Sequence, residues 1–186
     1  MIYDSEIIEE INDGKLTLRK ISKHDGEFLY DGLNEKGMTE YLSLQPLKTL
    51  EHSKRIIRNY LKYWDNYVQF NYIIVLQETN KVKVGSISLW NVNWRHRRAE
   101  IGIWIIPSYW SRGLGKNSIS LIKKIAFNHL KLNRLEAHIV IENTNSISLF
   151  KKSGFREEGS LKQYLNFNGK YHDALILACL KRDLNK

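Results

Sequence analysis

The stretch Ser111-Arg112-Gly113-Leu114-Gly115-Lys116-Asn117 separates an apolar run, EIGIWIIPSYW (100–110), from an amphipathic one, SISLIKKIAFNHL (118–130). A strand, a Gly-x-Gly turn and a helix in that order aim several backbone N–H groups at one point. The helix N-terminus adds partial positive charge, so an anion is favoured there. Glycines let the backbone approach without Cβ contact, and Arg112 and Lys116 add full charges. The physical reading is a phosphate or pyrophosphate cradle. From these seven residues alone, a helix start with no ligand stays open beside it. The pattern is neither a Walker loop nor a G-x-G-x-x-G fingerprint.

Outward from the loop, the chain alternates strand and helix signals. KLTLRKI (15–21) alternates as a first strand. SKHDGEFLYDGLNE (22–35) opens on a Ser N-cap and sets Phe28, Leu29 and Leu33 on one helical face. TLEHSKRIIRNYLKYW (49–64) is a stronger helix with Thr49 as N-cap. FNYIIVLQ (70–77) and KVGSISLWNV (83–92) form a hairpin around ETNK. AEIGIWII (99–106) is a strand ended by Pro107. RLEAHIVI (134–141) is another strand, and TNSISLFKKS (144–153) a short helix closed by Gly154. FREEGSLKQYLNF and KYHDALILACL are long strands around Asn168-Gly169, the strongest hairpin signal in the chain. The predicted order β-α-α-β-β-β-α-β-α-β-β describes one mixed α/β domain over residues 1–186. The least regular region is 36–48.

Composition supports a globular chain: 42% hydrophobic and 26% charged residues over 186 positions. No apolar run approaches the roughly 18 residues of a membrane span. The acidic start MIYDSEIIEE lacks a basic-then-apolar signal pattern, and Cys179 is the only cysteine, so the expected location is cytoplasmic. The balance of 29 Lys and Arg against 20 Asp and Glu gives +9, which favours anionic partners without naming one. The six histidines show no metal-ligand spacing, so no metal is expected.

Three segments in order, AEIGIWIIPSYWSRGLGKNSI, NTNSISLFKKSGF and NFNGKYHDALIL, resemble the GNAT superfamily of acyl-CoA-dependent N-acetyltransferases. The RimJ/RimL-like branch, with the related spermidine acetyltransferases, is the most similar, and the resemblance runs from about Lys15 to Asp183. It implies an α/β GNAT fold: a mixed, mostly antiparallel seven-stranded sheet, splayed at its centre and flanked by about four helices. It implies acetyl-CoA as co-substrate, with its pyrophosphate on Ser111, Arg112, Gly113, Leu114, Gly115, Lys116 and Asn117. Trp110 stands where many members carry Gln or Arg. Backbone around Trp104, Ile105 and Ile106 should meet the pantetheine arm. Asn143, in an N-x-x-S pattern completed by Ser146, should bond that arm. Lys152 is within reach of the cofactor's phosphates. Phe150 departs from the family, because many members place there a tyrosine thought to protonate the leaving thiolate.

Acetyl transfer to an amine needs a neutral amine, and a free alkylamine is mostly protonated at pH 7. A base is therefore useful. Glu100 is the base candidate, on the face of its strand shared with Gly102 and Trp104. A carboxylate in an apolar strand is paired, hydrated or functional, and pairing with Arg97 or Arg98 is the structural alternative. His138 is a second candidate for the base, against a purely structural role. Ser146 is the nearest hydroxyl to replace the missing tyrosine, against a helix-capping role. Asp173 reads as a turn or strand-end hydrogen-bonder, and Cys179 as core. Trp94–Arg98 reads as a solvated hairpin turn rather than a nucleic-acid patch. Lys123 and Lys151 read as exposed helix faces. The expected partners are acetyl-CoA and a primary amine: a protein N-terminus such as that of a ribosomal protein, a polyamine, an amino acid or an amino sugar. A homodimer is compatible with these readings. The rival is a GNAT-fold sensor or scaffold that binds acyl-CoA without turnover. Acceptor choice should come from the first two helices, their connection and the last hairpin; Glu35 and Glu40 are the carboxylates available there.

Overall fold

Eight strands form one sheet, in a computed structural model that describes residues 5–42, 46–77, 81–167 and 169–184. In chain order the elements are β1 (Glu10–Asn12), β2 (Leu16–Lys20), α1 (Gly26–Asn34), α2 (Leu50–Asp65), β3 (Phe70–Leu76), β4 (Val82–Asn93), β5 (Arg98–Ile105), α3 (Leu114–Lys124), β6 (Arg134–Val140), α4 (Thr144–Lys152), β7 (Arg156–Phe167) and β8 (Lys170–Leu180). The sheet runs β1-β2-β3-β4-β5-β6-β8-β7. Every neighbouring pair is antiparallel except β5 and β6.

The expected seven strands become eight because Glu10–Asn12 pairs with β2, Ile11 opposite Leu18. Three residues are too short to show a period, and two of the three are exposed. The turn residues Glu78, Thr79 and Asn80, and Asn168 of the last hairpin, lie outside the described residues.

β3 is buried along its whole length, FNYIIVL, instead of alternating. Both faces of the sheet are covered there, which removes the polar face. Phe70, Tyr72 and Ile74 pack with Ile119, Ile122 and Phe127 of α3 and its continuation. Ile73 and Val75 pack with Leu29 and Leu33 of α1 and Ile57 of α2. Thr49 caps α2 as its sequence predicts, accepting the His52 N–H at 3.2 Å. Before α1, Asp25 is wholly buried and closes a capping box with Ser22. Its carboxylate takes the Arg19 guanidinium at 2.6 and 2.8 Å and the Lys83 ammonium at 2.8 Å. α3 runs on into a π-turn over Ile125–His129, where the Leu130 N–H reaches the Ile125 carbonyl at 2.8 Å.

The one parallel pairing is short. β5 and β6 pair only at Arg98–Arg134, Ala99–Leu135 and Glu100–Glu136. Beyond that point β5 stays with β4, and β6 stays with β8. The sheet therefore opens into a wedge whose vertex is Glu100 and Glu136.

Candidate active site

The wedge presents backbone groups that the sheet leaves over. The Ile106 N–H donates to Val84 O at 2.9 Å, so β5 turns that residue, Trp104 and Gly102 toward β4. Two-residue alternation turns the N–H and C=O of Ile101, Ile103 and Ile105 away from β4; the Ile101 N–H still serves the Glu100–Glu136 pairing, and the backbone groups of Ile103 and Ile105 face the wedge. On the other side the Ile141 N–H donates to Asp173 O at 3.2 Å. The same alternation turns His138 and Val140 toward the wedge. Of Trp104, Ile105 and Ile106, only Ile105 thus has its backbone in the gap. Its carbonyl accepts the Trp110 indole N–H at 2.5 Å.

At the far end of β5 the loop has the shape its sequence implies. Gly113 is left-handed (φ 77°) and is the N-cap of α3, with no side-chain cap. A Cβ on Gly113 would meet nothing within 4 Å, so the glycine serves conformation there and leaves open space. Ser111 is also left-handed, at φ 60°. The first turn of α3 offers uncapped N–H groups outward. Gly115 has a different role. A Cβ there would stand 3.0 Å from Leu149 Cδ2, so this glycine admits α4 against α3. Arg112 lies over the Tyr109 ring at 5.0 Å. Lys152 is exposed on the last turn of α4. An uncapped helix start behind an open glycine turn, with Arg112 and Lys116 beside it, fits a pyrophosphate.

Glu100 is buried, with 4% of its surface exposed. Neither arginine named above pairs with it. Its Oε1 accepts the Asn91 amide at 2.7 Å, and its Oε2 lies 3.3 Å from His138 Nδ1. Arg98 instead reaches Glu136 at 3.3 Å, and Arg97 donates to the Lys131 carbonyl at 3.4 Å. Burial pushes the Glu100 carboxyl up. The nearness of His138, the hydrogen bond from Asn91 and the charge of Arg98 outweigh it and hold the group below its ordinary value. Glu136 stands opposite Glu100 in the parallel register, and its carboxylate lies 3.7 Å from His138 Nε2. The two base candidates are therefore neighbours, with a second carboxylate behind them.

A cleft of about 640 Å³ joins this group to both sides of the sheet opening. Asn143, Ser146 and Phe150 line it from the α4 side. Asn143 is the N-cap of α4: its side-chain oxygen accepts the Ser146 N–H at 3.1 Å. Capping thus belongs to Asn143, and the Ser146 hydroxyl is left to the cleft. Phe150 is 2% exposed and meets Phe155 edge-on at 5.0 Å. On the opposite side stand Tyr41, Tyr60, Asn71, Ser88 and Trp90. These come from the first two helices and their connection and from β3 and β4, so the expected acceptor elements do border the cleft. Burial pushes the Tyr60 phenol up to about 12.

Tyr164 is a cleft residue that its sequence does not announce. β7 and β8 lose register between Leu161 and Leu165, and Gln163 takes φ 50°. Such bulges re-aim side chains. Asp173 pins this one, accepting the Gln163 N–H at 2.9 Å and pairing with Lys162 at 2.7 Å. Asp173, expected at a turn or strand end, lies inside β8 and accepts hydrogen bonds at the β7 bulge. Tyr164 consequently sits edge-on to His138, ring centres 5.3 Å apart. No glycine marks the bulge, so alternation in LKQYLNF gives no signal for it.

The remaining candidates fall away from the cleft. Cys179 is buried in the core, and burial pushes its thiol up. Trp94–Arg98 forms the β4–β5 turn and the start of β5, and the Trp94 indole is tied to the Tyr67 carbonyl at 2.8 Å. No group of potential metal ligands occurs among the described residues, nor any helix long and apolar enough to cross a membrane. Lys151 pairs with Glu157, and Lys123 donates to the Ser153 carbonyl at 2.8 Å, so these two are not idle surface.

A strand that leaves its parallel partner and ends in a glycine anion loop is the framework of an acyl-CoA-dependent transferase. The chain matches the acetyltransferase (GNAT) domain family over residues 15–156 and belongs to that family. It is 29% identical over 167 residues to an uncharacterised N-acetyltransferase of Bacillus subtilis, covering 90% of this chain and 94% of that one. It is 26% identical to the spermidine N(1)-acetyltransferase of Vibrio cholerae, covering 87% of this chain and 90% of that one. The fold matches the crystal structure of spermidine N-acetyltransferase from Vibrio cholerae in complex with CoA and spermine. The TM-score is 0.82 at 24% identity, over 94% of this chain and 100% of that one. The protein is a GNAT acetyltransferase, and such enzymes use acetyl-CoA.

Proposed function

We propose that this protein moves the acetyl group of acetyl-CoA to a primary amine, by direct attack of the amine with both substrates bound. The observation that carries the proposal is the vertex: a buried carboxylate, Glu100, opens onto the same cleft as the unpaired amide row of β5. Acetyl-CoA supplies an activated acyl group. The chain supplies the rest. The α3 start, with Arg112 and Lys116, holds the phosphates. The amide N–H groups of Ile103 and Ile105 are donors for a carbonyl oxygen that gains charge. Glu100 receives the proton that a protonated amine must lose. Direct attack is supported by the place of the one cysteine: Cys179 is in the core, on the other side of the sheet from Glu100.

The acceptor is a primary amine whose reactive end carries one positive charge. Among the described lining residues Glu100 is the only carboxylate, surrounded by aromatic rings, amides and hydroxyls. A protein N-terminus or an amino sugar suits that lining. A polyamine would use Glu40, whose carboxylate bonds the Tyr41 phenol and raises its pKa. The second reading, acyl-CoA binding without turnover, is favoured by Phe150, which cannot donate a proton. Coenzyme A release is the deciding assay, run with acetyl-CoA and four amines: a ribosomal-protein N-terminal peptide, spermidine, an amino acid and an amino sugar. Turnover with one of them supports transfer. Saturable binding with no release against every amine supports the second reading.

A further inference from the structure

Glu100 is a weak base by its surroundings, yet its closest ionisable neighbour is a histidine. His138 lies between two carboxylates: Nδ1 is 3.3 Å from Glu100 Oε2, and Nε2 is 3.7 Å from Glu136 Oε2. The ring is largely shielded, with 11% of its side chain exposed. Tyr164 of β7 covers it edge-on. Charged and titratable groups reach this cluster from three strands: Arg98 and Glu100 from β5, Glu136 and Arg134 from β6, and Tyr164 and Glu158 from β7. Arg134 binds both Glu136, at 2.6 Å, and Glu158. The arginines fix the far carboxylate in place, and Asn91 fixes the near one.

We propose that His138 holds the proton removed from the acceptor amine, with Glu100 as the group that hands it over and Glu136 as the residue that orients the ring. This rests on the acetyl-transfer reading above. The step balances as follows. The substrate ammonium gives one N–H proton to Glu100, and its N–H electron pair becomes the amine lone pair. The Glu100 O–H then passes that proton to Nδ1 of a neutral His138 whose hydrogen sits on Nε2. The result is a neutral amine, an ionised Glu100 and an imidazolium between two carboxylates. After acetyl transfer the imidazolium releases its proton to solvent through Glu136. A histidine in this position solves a specific difficulty. The Asn91 amide and the charge of Arg98 stabilise the Glu100 carboxylate, so it holds a proton poorly, and the His138 ring 3.3 Å away is the group placed to take it on. The pair, and not either residue, then sets the acid limb of the rate.

Two measurements test this. The first is the pH dependence of kcat/KM for the wild type, His138→Gln and Glu136→Gln, with the amine found in the panel above. His138→Gln should lose at least tenfold at pH 7 and recover as pH nears the pKa of the amine, with KM for acetyl-CoA unchanged. Glu136→Gln should keep its activity at high pH, with its acid limb moved to lower pH, because the imidazolium has lost a carboxylate. The second is the ¹⁵N spectrum of the His138 ring in the free protein. The neutral ring should carry its hydrogen on Nε2 in the wild type, and the two tautomers should mix in Glu136→Gln. A His138→Gln profile identical to wild type, an unmoved acid limb in Glu136→Gln, or an Nδ1–H ring in the wild type overturns the relay alone. A wild type that releases no coenzyme A with any amine overturns acetyl transfer, and the relay with it.

Discussion

Replacing Glu100 by Gln removes a negative charge from the vertex while keeping its shape. The Asn91 amide can still donate to the remaining side-chain oxygen across the 2.7 Å contact. The magnitude follows from the substrate. An alkylamine with a pKa near 10 is roughly one part in 10³ neutral at pH 7. An enzyme without its proton acceptor must wait for that fraction. With an alkylamine acceptor a fall in kcat/KM of about 10²-fold or more at pH 7 is expected, within the usual range for a general base; with a protein N-terminus, roughly one part in seven neutral at pH 7, the fall should be smaller. The deficit should shrink about tenfold per pH unit as the free amine becomes abundant. Acetyl-CoA affinity should hold, because the loop and α3 lie at the other end of β5.

The comparison is clean with respect to folding. The Glu100 carboxyl lies below its ordinary value in the folded protein. Its contribution to stability is therefore complete above the unfolded pKa, about 4.3, and is lost only as pH falls through the folded value. Between pH 6 and 9 that contribution is constant, so rates in this window report chemistry. The assay is a pH–rate profile of both proteins by thiol release, with calorimetry for acetyl-CoA. Full activity of the variant at pH 7 would refute the reasoning. An equal loss at every pH would show that Glu100 positions the amine and that another group takes the proton.

Four further outcomes are expected. Gly113→Asp should weaken acetyl-CoA binding at least tenfold, about 1.4 kcal/mol, by calorimetry on folded protein. Gly113→Ala should cost about 1 kcal/mol of stability for its left-handed backbone with little effect on binding, since its Cβ meets nothing within 4 Å. Phe150→Tyr should change kcat by less than about threefold, because a thiolate with a pKa near 8.5 leaves well unaided; a tenfold rise in kcat would show that protonation limits the rate. Asp25→Asn should lower the unfolding free energy in urea by about 3 kcal/mol, the scale of a broken buried ion pair. Burial pushes the Asp25 carboxyl up, but hydrogen bonds from Arg19 and Lys83 hold it well below its usual range. That gap should be constant from pH 5 to 8 and narrow only in acid; a gap that widens in acid would contradict the assignment.

What could be read from the chain was what is local to it. Most long strands and helices carry their own period, and the loop carries its own glycines, so these elements and the candidate anion site were visible from Ser111–Asn117 outward. β1 was not, because Glu10–Asn12 becomes a strand only through its partner. The Glu100–His138–Glu136 group was half visible. Both base candidates stood out singly, as polar residues in apolar strands. Their contact depends on the parallel register of β5 and β6, which no local pattern encodes. Tyr164 was hidden for a related reason: its direction is set by Asp173, on the facing strand. Gly115 reads from the sequence as a phosphate glycine, and the approach of Leu149 gives it a packing role that the sequence does not show.

The parallel pair explains why the proposed binding and chemistry fall at opposite ends of one strand. β5 and β6 point the same way, and each leads at its C-terminal end into a helix, α3 and α4. Both helix N-termini therefore arrive at the open side of the wedge, the side where parallel sheets bind ligands. Glu100 and His138 stay at the closed side, where pairing ends. From Glu100 to Ile105 the strand covers about 16 Å at roughly 3.3 Å per residue. A ligand anchored by its phosphates at Gly113 must bridge at least that length to bring a reactive group to the vertex. It must be narrow enough to lie between two strands, and rich in amides to bond their exposed backbone. The pantetheine arm of acetyl-CoA meets all three conditions. A compact phosphate donor such as a nucleoside triphosphate meets only the first contact, at the loop. On the proposed reading, the shape of the wedge suits the acyl donor, and the vertex suits an acceptor that arrives as a cation.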